Sequence, residues 1–296
     1  MGDVYIKPID LPDVQAGPPN MHFRLTRVGV TGVKKLVYIH RPNKKIIPLT
    51  VKMDLFVDLP ARQKGSHMSR NIELISEFFE IENGKPIRDL ESFCAYIAKR
   101  LLEKHEYANY SEVKAEADYF LERIAPSGKK LLEPYKLVAE ARADKKGDVR
   151  KLIGVKVIGM TTCPCAMEVI RKIGGYKEKD VPPTHNQRNI TTVMIEVPGD
   201  DNIVDANDLI EIAEQSFSSP TYSLLKRGEE GELVYNAHKN PKFVEDVVRD
   251  ILRAIIERYK ELPDDVIVVV RSESEESIHK HNAFAERVTT LGELRS

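Results

Sequence analysis

The sequence predicts an α+β protein built from two tandem units, each with two strands, two helices and two further strands. Apolar residues alternate with polar ones in segments such as Leu49–Val57, which is the period of a half-buried strand. Apolar residues recur every three or four positions in segments such as Pro241–Leu262, which is the period of a helix. The same order of elements occurs twice along the 296 residues, which indicates an internal structural duplication.

The first unit is predicted to span residues 21–146 and to follow an arm, residues 1–20. The arm contains four prolines, which do not fit a helix interior. The predicted elements of the unit are His22–Ile39, Leu49–Val57, Ser69–Ile81, Pro86–His105, Ala115–Leu121 and Pro134–Ala143. We expect Ser69 to cap the first helix. The apolar stripe of that helix is predicted to be Ile72, Leu74, Ile75, Phe78 and Phe79.

The second unit is predicted to span residues 147–296. Its predicted elements are Asp148–Met160, Ile190–Val197, Ala206–Phe217, Pro241–Leu262, Val266–Val270 and Ala283–Leu291. Pro241 is expected near the first turn of the long helix, where a missing N–H costs nothing. Each unit therefore has four predicted strands and a pair of predicted helices.

Composition excludes several classes of function. A net charge of −1 leaves no basic footprint for nucleic acid. No apolar run approaches the ~20 residues that cross a membrane, and the start of the chain shows no secretory signal. Two of the three cysteines are separated by a single residue, where a disulfide would be strained. We therefore expect a reduced, cytoplasmic protein.

The segment Thr161–Glu168 places Cys163 and Cys165 between a predicted strand and a short helical pattern. The positive end of a helix favours a thiolate, and a thiolate is a good ligand for zinc or iron(II). A metal site is therefore one interpretation of this segment, although Cys-x-Cys alone is a weak signal. The alternative is that both cysteines are half buried and have no role. Cys94 lies on an apolar helix stripe and is predicted to belong to the core.

Two segments that contain histidine lie next to predicted strands. The first, residues 184–188, precedes a strand, and the second, residues 276–282, follows one. His185 lies just before the strand Ile190–Val197 and could bind a metal or transfer a proton. In the second segment, an extended chain would place His279 and His281 on one face, whereas a helical turn would bring Glu276 and His279 together. The pattern leaves both geometries open. Solvated loops are the alternative for both segments.

Two further segments place charged residues next to predicted helices. Glu245 and Asp246 lie at the start of the long predicted helix, where acidic residues suit the helix dipole, so capping explains them without any function. Lys64, His67 and Arg70 lie between a predicted strand and a predicted helix, where they could meet a phosphate. An ordinary polar connection is the alternative for this second segment.

Six motifs, in order along the chain, together resemble one family. They are GSHMSR, TTCPCAMEVIRK, HNQRN, SLLKRGEE, NPKFVEDVVRDI and ESIHKHNAFA. Their order is similar to that of GTP cyclohydrolase IB, and their spacing to its archaeal, iron(II)-dependent branch in methanopterin biosynthesis. The resemblance runs from about Lys64 to Ala285. A longer link between the cysteines and His185, residues 174–184, departs from the bacterial pattern.

The resemblance implies a tunnelling fold, in which ββααββ units assemble into barrels as a homodimer or homotetramer. It implies that Cys163, His185 and Glu230 bind the metal. Cys165 is expected in the substrate pocket or near the metal, and Glu245 is expected to anchor guanine. Glu276 and His279 resemble proton-transfer residues, and His185 could share that role. Fe(II) is the expected cofactor, with Zn(II) or Mn(II) as alternatives.

The reaction that this family implies is hydrolysis of GTP at C8 of guanine by metal-activated water. A histidine protonates the departing ring nitrogen, formate is released, and a 7,8-dihydroneopterin phosphate forms, expected as the 2′,3′-cyclic phosphate. Two alternatives remain at this point. One is a nitrile reductase of the same fold. The other is a non-catalytic protein in which the cysteines and His185 close a structural zinc site.

Overall fold

The computed structural model of the chain describes residues 12–40, 45–82, 85–199 and 204–296, so residues 1–11 of the predicted arm lie outside it. The strands are β1 (Leu25–His40), β2 (Ile46–Leu59), β3 (Tyr110–Ile124), β4 (Lys130–Asp144), β5 (Val149–Thr162), β6 (Asn186–Glu196), β7 (Ser219–Pro220), β8 (Ile267–Glu275) and β9 (Ala283–Thr290). The helices are α1 (Met68–Glu82), α2 (Leu90–Lys104), α3 (Pro164–Ile173), α4 (Ala206–Ser216), α5 (Arg227–Lys239), α6 (Val244–Arg258) and α7 (Leu291–Arg295). The predicted α+β class is confirmed.

The strands form one antiparallel sheet in the order β1-β2-β3-β4-β5-β6-β8-β9, with β7 paired to the end of β5. The sheet runs without interruption through the middle of the chain, because β4 pairs with β5 in a register that includes Lys136 opposite Lys156. The turn between these strands contains Gly147 at a φ of 96°, a conformation that favours glycine. Both halves of the chain therefore share one sheet.

The core lies between one face of the sheet and the helices. Alternate residues of β2, such as Val51, Met53 and Leu55, are fully buried against this face. Helix α2 buries Leu90, Phe93, Cys94, Ile97 and Leu101, and α6 buries Val244, Val247, Val248, Ile251 and Ile255. Helix α2 also buries Glu91, Ala95 and Ala98, so its buried face is wider than that of α6. The prediction that Cys94 belongs to the core is confirmed, and burial raises the pKa of its thiol.

Helices α1 and α6 begin at residues other than those predicted. Helix α1 begins at Met68, so Ser69 lies inside its first turn, and Ile72 is 40% exposed instead of buried. Helix α6 begins at Val244 because the preceding Lys242 donates its backbone N–H to Thr162 O at 3.0 Å. Pro241 therefore lies outside the helix.

Helix α5 was not predicted. Within it only Ala237 is buried, so its sequence shows no apolar stripe, and two glycines weaken the pattern further. The signal present in the sequence is electrostatic: acidic residues in the first turn, and His238 and Lys239 in the last. Across the part of the chain that the structure describes, no helix is both long and apolar enough to cross a membrane.

Candidate active site

Three strand ends bring distant segments together. Cys163 follows β5 directly, His185 precedes β6, and residues 276–282 join β8 to β9. Strand β5 pairs with β6 up to Thr162 opposite Asn186, and β6 pairs with β8 up to Arg188 opposite Glu275. The cysteine motif and both histidine segments therefore meet at the same edge of the sheet.

Cys163 is held by its backbone and by the start of α3. Its N–H donates to the carbonyl oxygen of His185 at 3.0 Å, and the hydroxyl of Thr184 donates to Cys163 O at 2.8 Å. Its sulfur caps the helix by accepting from the N–H of Ala166 at 3.4 Å. The sulfur therefore lies at the N-terminal, positive end of the α3 dipole.

His185 connects the cysteine to the loop between β8 and β9. Its Nδ1 lies 3.0 Å from Gln187 Oε1 and 3.7 Å from Glu276 Oε2, and both His185 and Glu276 side chains are nearly buried. The ring of His279 lies edge-on to that of His185, with centroids 6.4 Å apart. His279 and His281 stack with centroids 5.0 Å apart. Residues 277–281 form bends instead of a strand or a helical turn, yet His279 and His281 share one face as the extended geometry predicted, and the three histidines come together.

The first turn of α6 completes the site. The cap of this helix is made by Asp246, whose carboxylate accepts from the N–H of Phe243 at 3.0 Å. Glu245 is exposed, and within the described chain no hydrogen bond or ion pair engages its carboxylate. Helix capping therefore does not account for Glu245, and its carboxylate is free to bind a ligand.

These elements enclose a cleft of about 250 Å³. It is lined by Cys163, His185, Gln187, Lys242, Phe243, Val244, Glu245, Glu276, His279, His281 and Ala283. A thiol, three imidazoles and two carboxylates therefore share one concave surface. Such a set can bind a metal ion, transfer protons and accept hydrogen bonds from a planar base.

The donor atoms of this cleft fit a borderline-soft divalent ion, since thiolate and imidazole suit iron(II) and zinc. Their spacing is wider than a bound ion requires: among the described residues no three His, Cys, Asp or Glu side chains converge closely enough to hold one. The backbone hydrogen bond between Cys163 and His185 holds the main chains of these two residues next to each other. Convergence of their donor atoms on one ion needs changes of side-chain rotamer.

A buried polar network underlies the cleft. The amide of Asn189 donates to Ser274 Oγ at 2.8 Å and accepts from the hydroxyls of Thr191 and Ser272 at 2.7 and 2.9 Å. Thr161 Oγ1 lies 3.4 Å from Ser274 Oγ. All five side chains are buried. Because they belong to β5, β6 and β8, the network fixes the three strand ends that carry the site.

Two residues expected near the metal lie outside the lining of this cleft. Cys165 is exposed on α3. Glu230 is exposed in the first turn of α5, next to Glu229, which accepts from the N–H of Lys226 and so makes the capping contact. The helix reaches the site at its other end instead: His238 Nε2 lies 3.1 Å from the carbonyl oxygen of Thr184.

Lys64 and His67 precede α1 and Arg70 lies in its first turn, and none of the three lines the cleft. His67 Nε2 contacts Asp13 at 3.0 Å, and its Nδ1 is buried without a hydrogen-bond partner in the described chain. The N–H of Ala16 and then His67 lower the pKa of Asp13. His67 thus holds the end of the arm in this chain, while Arg70 donates to Lys104 O at 2.8 Å.

Beneath this segment lies a buried imidazole. His105 contacts Asn71 Oδ1 at 2.8 Å and Tyr107 Oη at 2.7 Å. Burial, followed by the positive charge of Arg70, lowers the pKa of His105 to about 4. The ring is therefore neutral at pH 7, donating one N–H and accepting at the other nitrogen, which matches an internal packing role.

Five of the predicted site residues line this cleft, and other lining residues were not predicted. The five are Cys163, His185, Glu245, Glu276 and His279. Gln187, Lys242 and Phe243 were not among the predicted site residues, and His281 was noted only for its spacing. Gln187 looks like an ordinary strand residue. The aromatic Phe243 looks like a core residue until the structure shows it 44% exposed.

The family described as type I GTP cyclohydrolase folE2 matches residues 11–285. This chain belongs to that family. Proteins named GTP cyclohydrolase MptA from Methanobrevibacter smithii and Methanothermobacter thermautotrophicus are each 46% identical to it over 96% of the chain and 97% and 95% of their own lengths. GTP cyclohydrolase MptA 1 of Methanocella arvoryzae is 44% identical over 98% of this chain and 97% of its own. The predicted family resemblance is confirmed, and neither alternative function gains support.

Solved structures agree on the architecture. A uricase from Arthrobacter globiformis matches with a TM-score of 0.52 and 8% identity, over 90% of this chain and 93% of that one. A hyper-thermostable uricase mutant matches with a TM-score of 0.53 and 8% identity, over 90% and 92% of the two chains. At such low identity the likeness concerns the fold alone: a large antiparallel sheet covered by helices.

Proposed function

We propose that this chain is a GTP cyclohydrolase that opens the imidazole ring of guanine at C8. The observation that carries the proposal is the cleft at the ends of β5, β6 and β8, where a thiol, three imidazoles and an unengaged carboxylate meet. Membership of the type I GTP cyclohydrolase family supports the same substrate.

Glu245 is proposed to anchor the guanine base. A carboxylate can accept hydrogen bonds from N1–H and the 2-amino group of guanine at once, and such charge-assisted pairs are strong. The first turn of α6 is fixed by the Asp246 cap and by the contact between Lys242 and Thr162. Glu245 therefore stands on a rigid support, and adenine, which lacks both donors, is discriminated against.

Cys163 and His185 are proposed to hold the metal ion, expected to be iron(II), with zinc or manganese as alternatives. Glu230, in the first turn of α5 and outside the cleft lining, is proposed as the third ligand. When bound, the ion supplies the Lewis acidity that makes water nucleophilic at neutral pH.

His279 is proposed to donate the proton that the departing ring nitrogen requires, with Glu276 as the group that returns it. The stack between His279 and His281 holds the imidazole of His279 at the cleft. Cys165 is exposed on α3, and it is proposed to lie beside the substrate once a second copy of the chain covers that helix. Formate release and ring closure then give a 7,8-dihydroneopterin phosphate, proposed to be the 2′,3′-cyclic phosphate of methanopterin biosynthesis in the cytoplasm.

The assembly is proposed to be a homo-oligomer of tandem ββααββ units of the tunnelling fold, with boundaries at residues 20 and 146. Strands β1 and β9 are the outermost of the sheet, and open strand edges favour pairing with another chain. When Glu91 and the two buried alanines of α2 are set aside, α2 and α6 bury residues at the same spacing, which supports the duplication. In such an assembly Lys64, His67 and Arg70 are proposed to contact the phosphates of GTP bound to a neighbouring copy.

The test is incubation of anaerobically purified protein with GTP and iron(II), followed by product identification by mass. We expect formate and a dihydroneopterin phosphate. His279→Asn should keep its metal and accumulate a ring-opened product, because proton transfer is lost while water activation is retained. Absence of any GTP turnover with iron(II), zinc or manganese would contradict the proposal. Full turnover by a monomer in light scattering would contradict the assembly alone.

A further inference from the structure

Phe243 is an exposed aromatic residue in an otherwise polar cleft. Phe243 is 44% exposed although its side chain is a hydrocarbon ring. The residue lines the same cleft as Glu245. The neighbouring apolar side chain, Val244, is buried in the core. Among the described lining residues, Phe243 is therefore the large apolar surface available to a ligand.

The backbone of Phe243 is fixed independently of its ring. Its N–H donates to the carboxylate of Asp246 at 3.0 Å, and its carbonyl oxygen accepts from the N–H groups of Asp246 and Val247 at 3.1 and 3.2 Å. The residue is the N-cap of α6, with an extended conformation. The ring thus projects from a rigid support without contributing a cap of its own.

We infer that Phe243 forms a stacking platform for the face of the purine whose edge is bound by Glu245, an inference that rests on the proposed function. A carboxylate recognises a base in the plane of its ring, which leaves the faces of the base in contact with water. An aromatic ring offers the complementary interaction, because stacking buries a base face and tolerates any purine. Edge and face are then recognised by residues only two positions apart.

The first experiment measures binding of 7-deaza-GTP, in which a C–H group replaces N7 so that ring opening is blocked. Stacking is worth about 1–3 kcal/mol per base, so Phe243→Ala should raise the Kd about 5- to 150-fold. Phe243→Tyr and Phe243→Trp should restore binding to near that of the wild type. The melting temperature of all three variants should stay close to that of the wild type, because the side chain is not part of the core.

The second experiment uses fluorescence, since the chain contains no tryptophan. Phe243→Trp places a single reporter in the cleft, and a stacked purine should quench its emission as 7-deaza-GTP is added. The matched control is Phe120→Trp, because Phe120 is 54% exposed on β3 and does not line the cleft. Its emission should not change.

Three outcomes would overturn the inference. One is a Kd for Phe243→Ala within twofold of the wild type. Another is Phe243→Trp emission that stays constant while the ligand saturates the protein. The third is a smaller species in light scattering for Phe243→Ala, which would mean that the ring packs against a second copy. If GTP turnover by the wild type is intact in these cases, the proposed function stands and only the platform fails. If wild-type protein neither binds 7-deaza-GTP nor turns over GTP, the proposed function itself is wrong.

Discussion

The carbonyl oxygen of His185 accepts a hydrogen bond of 3.0 Å from the backbone N–H of Cys163. This contact links the end of β5 to the start of β6, and the hydroxyl of Thr184 strengthens the link by donating to Cys163 O. Two side chains that suit iron or zinc are thereby set beside each other by main-chain bonds. The main chain therefore fixes where the two side chains begin, whereas the positions of the sulfur and the imidazole nitrogens still depend on their rotamers.

The first prediction separates the two cysteines. Cys163→Ala should lose metal and activity together, because one imidazole and a carboxylate hold a soft ion poorly. Cys165→Ala should keep its metal, since Cys165 is exposed on α3 and outside the cleft lining. Elemental analysis of both purified variants gives the answer. Full metal occupancy in Cys163→Ala would move the ligand role to Cys165.

The second prediction separates base recognition from helix capping in α6. Glu245→Gln should weaken GTP binding by about 1.5–3 kcal/mol, because a charge-assisted pair is lost, and should leave the melting temperature unchanged. Asp246→Asn should do the reverse and cost about 1 kcal/mol of stability, because Asp246 makes the cap. Titration calorimetry and thermal unfolding of both variants measure the two effects. A drop in stability without a change in affinity for Glu245→Gln would sink the anchor role.

The third prediction concerns the buried network around Asn189. Asn189→Leu leaves the hydroxyls of Thr191, Ser272 and Ser274 without their amide partner, and each unsatisfied buried group costs about 1–3 kcal/mol. We expect a clear loss of stability in denaturant and a lower kcat, since Ser274 is two residues from Glu276. The control is Thr192→Val, three residues along β6 from Asn189 and on the opposite face of the strand. Equal losses in both variants would show that the strand, and not the network, is responsible.

The strands could be predicted because burial is alternate along them. On β2, buried Val51, Met53 and Leu55 alternate with residues that are exposed or half-buried, and this pattern is visible in the sequence. Helix α5 could not be found in that way, because it buries little beyond Ala237 and is held by contacts with Thr162 and Thr184. Those contacts are tertiary and leave no periodic signal.

The candidate site also has a part that the sequence pattern shows and a part that only the tertiary structure shows. Cys163, His185 and Glu276 could be singled out because polar residues stand at the ends of apolar strands, where loops carry function. The sequence could not show that Asp246, rather than Glu245, caps α6, since the two acids are adjacent and both suit the helix dipole. Only the direction of each side chain decides between them.

The last prediction is a pH dependence of stability that arises at Glu91. This carboxyl is 6% exposed at the start of α2, and burial, followed by the negative charge of Asp89, raises its pKa to about 7. Lys151 and Arg88 oppose the shift without cancelling it. Between pH 4.5 and 7 the folded chain therefore holds a proton that the unfolded chain has released. Stability should fall as pH rises through this window and level off above it.

Glu91→Gln removes this titration while keeping a side chain of the same shape. The variant should show a flatter free energy of unfolding between pH 4.5 and 7. At pH 8 it should gain on the wild type by up to about 3 kcal/mol, because the ionised carboxylate is no longer buried. Denaturant unfolding at several pH values measures this, with Glu257→Gln, exposed on α6, as the control. A wild-type curve that rises with pH in this window, or a Glu91→Gln curve parallel to it, would mean that Lys151 neutralises Glu91 fully and that the carboxylate stays ionised in the folded chain.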